Sequence, residues 1–110
     1  MNEILRLDRK GKPIDLHTWA ALWGDPAYQF VRRDWLVEGR TEVVTVWEGF
    51  EPYRVEFPPD DPPQIFHTAL VSWAGSHVHE ALVQAYYHTE EEALAGHEAI
   101  LAEARRNAAR

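Results

Sequence analysis

The stretch HVHEALVQAYYHTEEEALAGHEAIL, residues 77–101, decides the reading of this chain, because it holds a strand and a helix with the junction marked at Thr89. From His77 to His88 the residues are rich in Val, Leu and Tyr and read as a strand. Thr89 then supplies an N-cap, and Glu92 lies three residues on, the spacing of a capping box. Glu90 and Glu91 in the first turn, with Arg105, Arg106 and Arg110 at the far end, complement the helix dipole. Ala93, His97, Ile100, Leu101, Ala104 and Ala108 recur at helical spacing and predict the inner stripe. Gly96 costs about 1 kcal/mol relative to Ala inside a helix, so its presence points to a close approach of helix and sheet.

Upstream, Gln64–Trp73 predicts a strand joined to His77–His88 by Ala74, Gly75 and Ser76, a hairpin signal. Ala27–Val37 and Thr41–Phe50, with Glu38, Gly39 and Arg40 between them, predict a second hairpin. Tyr53, Val55 and Phe57 alternate with Arg54 and Glu56 as in a short edge strand, before the run Pro58, Pro59, Asp60, Asp61, Pro62, Pro63 imposes a stiff surface loop. Near the amino end, Glu3–Arg9 predicts a first strand stopped by Gly11, Lys12 and Pro13. Asp15 then caps a short helix with Leu16, Trp19, Ala20 and Trp23 on one face, ended by Gly24 and Pro26. The expected order is β-α-β-β-(β)-β-β-α. That is an α+β fold, an antiparallel sheet of four to six strands packed by two helices, in one domain spanning residues 1–110.

Composition narrows the function classes. The chain is 45% hydrophobic and 26% charged, ordinary for a folding domain, and its five tryptophans supply the buried area that a short chain needs. A net charge of −7 argues against non-specific nucleic-acid binding, which depends on Lys and Arg displacing counterions, and favours a partner with a basic surface. Without cysteine there is no disulfide, thiolate or sulfur-ligated metal chemistry. No apolar run reaches the roughly 18 residues that span a bilayer, and the amino end lacks a secretory block; these features predict a cytoplasmic protein without a membrane partner.

Four segments together resemble a small protein family of unknown function from tailed bacteriophages and prophages of high-GC hosts. They are Asp8-Arg9-Lys10-Gly11-Lys12-Pro13-Ile14 with the Trp19 helix, Thr45-Val46-Trp47-Glu48-Gly49-Phe50, Pro63-Gln64-Ile65-Phe66-His67-Thr68, and Tyr87 through His97. The resemblance implies a phage-encoded accessory protein of the infected host cell and carries no activity with it. Family members have an acidic residue where His67 stands and a small or basic one near His88, so an inherited histidine mechanism is not implied.

Histidines remain the best candidates for chemistry, as imidazole is both a common metal ligand and a usual general base. His77 and His79 share one face of a regular strand and, with His67 as the third member, form the candidate divalent-metal set, His97 or a carboxylate such as Glu80 after a bulge being the other sources of a third ligand; the competing reading is cross-strand polar residues beside a hairpin turn. His97, on the inner stripe, reads as a core histidine with a satisfied ring nitrogen. Asp60 and Asp61 in the proline loop, with Gly75, Ser76 and His77 at the hairpin tip, form the candidate binding surface, since connections carry function on a rigid frame. No phosphate loop, nucleophile elbow or His-Glu-x-x-His motif occurs, so no catalytic residue and no resident cofactor is assigned. The sequence therefore predicts a non-enzymatic protein-binding role. A small metal-binding or enzymatic domain, a virion component and a homodimer stay open as alternatives.

Overall fold

The computed structural model describes residues 4–52, 54 and 56–108, with His79 described by its backbone alone. Its elements are helices α1 (Leu16–Trp23) and α2 (Pro26–Gln29), strands β1 (Phe30–Val37), β2 (Thr41–Trp47), β3 (Phe66–Ala74) and β4 (His77–Tyr87), and helix α3 (Glu90–Ala108). The strands form one antiparallel sheet in the order β1-β2-β3-β4, so the expected α+β architecture holds. Local signals account for much of it. Thr89 Oγ1 accepts a hydrogen bond from the Glu92 backbone N–H at 3.1 Å, which starts α3 where the capping box predicts. Asp15 does the same for α1 through the Thr18 N–H at 2.7 Å.

Two elements differ from expectation. Of the predicted first strand, Glu3 lies outside the described residues, and the remainder contributes a single bridge, Leu7 to Pro13. The Asp8 carboxylate accepts from the N–H groups of Lys10 and Lys12, both at 2.9 Å, curling the chain before a ladder can extend. Residues 27–29 are helical rather than extended, because Asp25 caps the Ala27 N–H at 3.1 Å and Pro26 sits at the first helical position. The edge strand expected at Tyr53–Phe57 rests on Tyr53 and Val55, which lie outside the described residues, as does Arg110. Ala108, assigned to the inner stripe, is exposed at the helix end.

The register pairs Thr45 with Thr68 and Val43 with Asp34, so strand alternation gives the sheet two distinct faces. One face carries Asp34, Val43, Thr45, Trp47, Phe66, Thr68 and Tyr87 and lies under α3. The opposite face carries Arg33, Trp35, Glu42, Val44, His67, Trp73 and Tyr86. Among the described residues, every side-chain hydrogen bond or ion pair from α3 to the sheet reaches the first face.

The apolar core sits at the end of that face where the amino-terminal segment crosses it. Trp47, Ile65, Phe66 and Ala93 are buried together, with Leu7, Ile14, Trp19, Leu22, Tyr28 and Tyr87 packed around them. Trp47 Nε1 donates to the Leu7 carbonyl at 3.0 Å and Trp19 Nε1 to the Glu48 carbonyl at 2.9 Å, so both indole donors are satisfied. Gly49 adopts φ +83°, and a Cβ there would fall 2.6 Å from the Trp47 ring and 2.7 Å from that of Trp19. Gly96 permits an equally tight approach: a Cβ would lie 1.9 Å from the Tyr87 hydroxyl oxygen, so its absence lets α3 settle onto the sheet, as the sequence predicts.

Candidate functional site

His97 projects from α3 into the sheet and is fully buried with both ring nitrogens bonded. Nε2 lies 2.7 Å from Asp34 Oδ2 on β1, and Nδ1 lies 2.8 Å from Thr45 Oγ1 on β2. Thr45 Oγ1 in turn is 2.7 Å from Thr68 Oγ1 on β3. Because an ionised carboxylate can only accept, the imidazole proton belongs on Nε2. Nδ1 then accepts from Thr45, which accepts from Thr68. Arg32 closes the outer end, donating to Asp34 at 2.8 Å and pairing with Glu98 of α3. Burial pushes the His97 imidazole below its ordinary value, and the Arg32 charge adds to that, against the pull of Asp34 and Glu98. Burial opposes ionisation of Asp34, yet the hydrogen bond from His97 and the Arg32 guanidinium outweigh it and lower the carboxyl's pKa.

An acid, an imidazole and a hydroxyl in line are the parts of a nucleophilic triad. Here the hydroxyl has no exposed surface: Thr45 and Thr68 are both fully buried, so the chain of bonds ends inside the core. The arrangement satisfies polar groups that α3 and three strands bury against each other. It matches the expectation that His97 is a core histidine.

The remaining candidates are spread out. His67 pairs with Tyr86 and His77 with Ala74, nine residues apart along β4, or about 30 Å at strand rise. His67 stacks on the Tyr86 ring at 4.6 Å and meets Gln84 at 3.0 Å, while His79 lies beyond reach of it on the backbone trace, its own side chain outside the described residues. The three histidines of the candidate metal set are thus not brought together, and no group of three metal-ligating side chains occurs among the described residues. The proline loop and hairpin tip are equally separate. Asp61 lies 3.9 Å from His88, just beyond the carboxyl end of β4, whereas Gly75, Ser76 and His77 occupy the other end. Asp61 is also engaged: Arg54 binds its carboxylate at 2.5 Å, pairs with Glu51, and donates to the carbonyls of Asp61 and Pro62. Asp60 and the tip residues are exposed.

The open face holds what the sequence did not single out. Glu42 is fully buried there without a helix above it, because Arg33 grips both carboxylate oxygens, at 2.7 and 3.0 Å, and Trp73 Nε1 donates at 2.9 Å. Arg33 is sandwiched by aromatic rings, 4.8 Å from the centroid of Phe30 and 5.8 Å from that of Trp35. Phe30, Trp35 and Tyr86 stay 37, 41 and 49% exposed. Alternation of Arg33 with Trp35 was visible in the sequence, but the acid that fixes Arg33 lies on the neighbouring strand.

Segments distant in sequence meet in the core: Trp47, Gly49, Ile65, Phe66, Ala93, Gly96 and His97 pack or bond within it, and the Asp8–Pro13 turn braces the crossing amino-terminal segment through Arg9, which bonds Glu90 at 2.6 Å. Those segments specify packing. No family model, curated protein or solved structure matches this chain, and no helix among the described residues is long and apolar enough to cross a membrane.

Proposed function

We propose that this chain is a non-enzymatic accessory protein that holds a partner protein on the open face of its sheet. The observation that carries this reading is the set of half-exposed aromatic side chains, Phe30, Trp35 and Tyr86, with Arg33 stacked among them, on a face that α3 does not cover. Aromatic residues and Arg are the side chains enriched where proteins bind one another. The net charge of −7 supports a partner with a basic surface, by steering. The resemblance to a phage family supports a setting in the infected host cell, with a host or phage macromolecule as partner. Burial of the Thr45 hydroxyl supports a structural role for the His97 chain of hydrogen bonds.

Capture from infected-host lysate, comparing wild type with Trp35→Ala/Tyr86→Ala, tests the reading. A specific partner retained by the wild type and lost by the variant, with melting temperature nearly unchanged, supports it. Equal capture by both proteins moves the site off this face.

A further inference from the structure

β4 is the last strand of the sheet, and its outer edge is open. One side pairs with β3, and among the described residues no other backbone group bonds to it. An eleven-residue strand thus leaves a row of unpaired N–H and C=O groups facing water. Natural edges are usually blunted by Lys, Pro, inward charges or cover. β4 has no Pro, Lys or Arg and a single carboxylate, Glu80. Irregular pairing with β3 leaves Val83–Tyr87 as its regular run, Val-Gln-Ala-Tyr-Tyr, without a formal charge. Val83 is 43% exposed on the face beneath α3 and Tyr86 is half-exposed on the other, while Tyr87 at the end of the run packs against Gly96.

The opposite edge, β1, is protected. Its register against β2 breaks twice, as that of β4 against β3 does, but here the charged Arg32, Arg33 and Asp34 fill the stretch between the breaks, where β4 keeps an uncharged run. A second copy therefore finds no matching strand at β1, which removes head-to-tail stacking and leaves β4 against β4.

We propose that β4 pairs antiparallel with β4 of a second copy across a two-fold axis at Ala85, merging two four-stranded sheets into one of eight. This register keeps faces matched: Val83 meets Tyr87 beneath the helices, a favourable β-branched–aromatic pair, and Gln84 meets Tyr86 on the open face. It is isologous, so it closes as a dimer and does not propagate. Both helices lie on the same side; each α3 is hydrogen-bonded to β1 and β2 through Asp34 and Thr45, and reaches its own β4 where Gly96 packs on Tyr87. The seam is neutral while each copy carries −7, so added salt relieves repulsion and tightens the pair. That is the opposite of its effect on a basic partner, and although Tyr86 serves both readings, Trp35 and Arg33 lie on β1 at the far edge, so the salt response and Trp35→Ala alone separate failure of one proposal from failure of the other.

Sedimentation equilibrium of the full chain tests this. The expected mass rises with concentration toward twice 12.7 kDa, more steeply at higher salt. Gln84→Lys should weaken association at least tenfold while keeping the fold. Because the chain has no cysteine, Ala85→Cys should oxidise to one cross-linked dimer. Hydrogen exchange on the unmutated chain gives a readout free of folding effects: β4 amides should slow as concentration rises. A monomer at every concentration, species larger than a dimer, no cross-link at Ala85, or β4 exchange independent of concentration would each overturn the proposal.

Discussion

Beneath α3 the sheet hides polar groups, with Thr45, Thr68 and His97 sealed from water and bonded in line, whereas the opposite face displays apolar ones, with Phe30, Trp35 and Tyr86 half-exposed. The covered face thus buries a polar line beside its apolar core of Val43, Trp47 and Phe66, and the open face leaves aromatic rings at the surface. A buried hydrogen-bonded chain fixes how α3 sits, because each polar atom left unpaired there costs about 1–3 kcal/mol. Phe30 and Trp35 are anchored by one ion pair, the exposed Arg33 with the buried Glu42. Among the buried polar residues described, Glu42 is the exception that lies on the open face, beside buried Ala69 and Val71, and the contrast can be broken at four places.

The largest effect is expected at the exception. Arg33→Ala leaves Glu42 buried with the Trp73 indole as its remaining side-chain donor, at a cost of about 3–5 kcal/mol, and adding Glu42→Leu should recover most of it. Urea unfolding measures both. A loss below about 1 kcal/mol for Arg33→Ala would mean that Glu42 finds water and that the open face adds little to folding.

On the covered face, Leu101→Ala removes a fully buried side chain from α3 and should cost about 2–5 kcal/mol, by the same measurement. Gly96→Ala comes next. Helix propensity favours Ala by about 1 kcal/mol, but the new Cβ meets the Tyr87 ring, and overpacking of this kind typically costs about 1–3 kcal/mol. Net destabilisation in the wild type that turns to stabilisation in a Tyr87→Leu background would locate the cost in that contact.

The smallest effect is a slope with pH. Folded His97 resists protonation, so below the ordinary value of 6.5 the unfolded chain takes up a proton that the folded chain refuses. The stabilisation is complete above that pH and declines as pH falls, by at most about 1.4 kcal/mol per pH unit. Asp34 contributes in a lower window, above its ordinary value of 3.8, and that part is lost as pH falls through its lowered folded pKa. His97→Gln should flatten the stability profile below pH 6.5 and leave the acid limb in place. An unchanged profile would show that His97 is not the titrating group.

How much of this could be read from the chain follows from separation in sequence. Thr89 with Glu92, Asp15 with Thr18, and the turn between Ala74 and His77 are contacts within a few residues, so spacing alone located α3, α1 and the β3–β4 hairpin. The first strand failed for a local reason that the pattern concealed, since the Asp8 carboxylate competes for backbone donors. The candidate sites failed for a distant one. Asp60 and His77, or His67 and His77, look like neighbours in a list of polar residues, yet a strand of about 3.3 Å per residue carries them to opposite ends of the sheet.

By itself, the sequence determined the fold class, the capped closing helix, the hairpins, the close approach at Gly96 and the core position of His97, because periodicity, caps and turn residues act through neighbouring backbone. Only the tertiary structure decided what His97 touches. Asp34 lies 63 positions away and Thr45 lies 52 away, and strand register brings both to the same imidazole. It also decided that Glu42 is buried on a face without a helix and that β4, with its uncharged run Val83–Tyr87, lies at an edge of the sheet. Register and strand order are set by the packing of whole faces against one another, and no short window of sequence contains that energy.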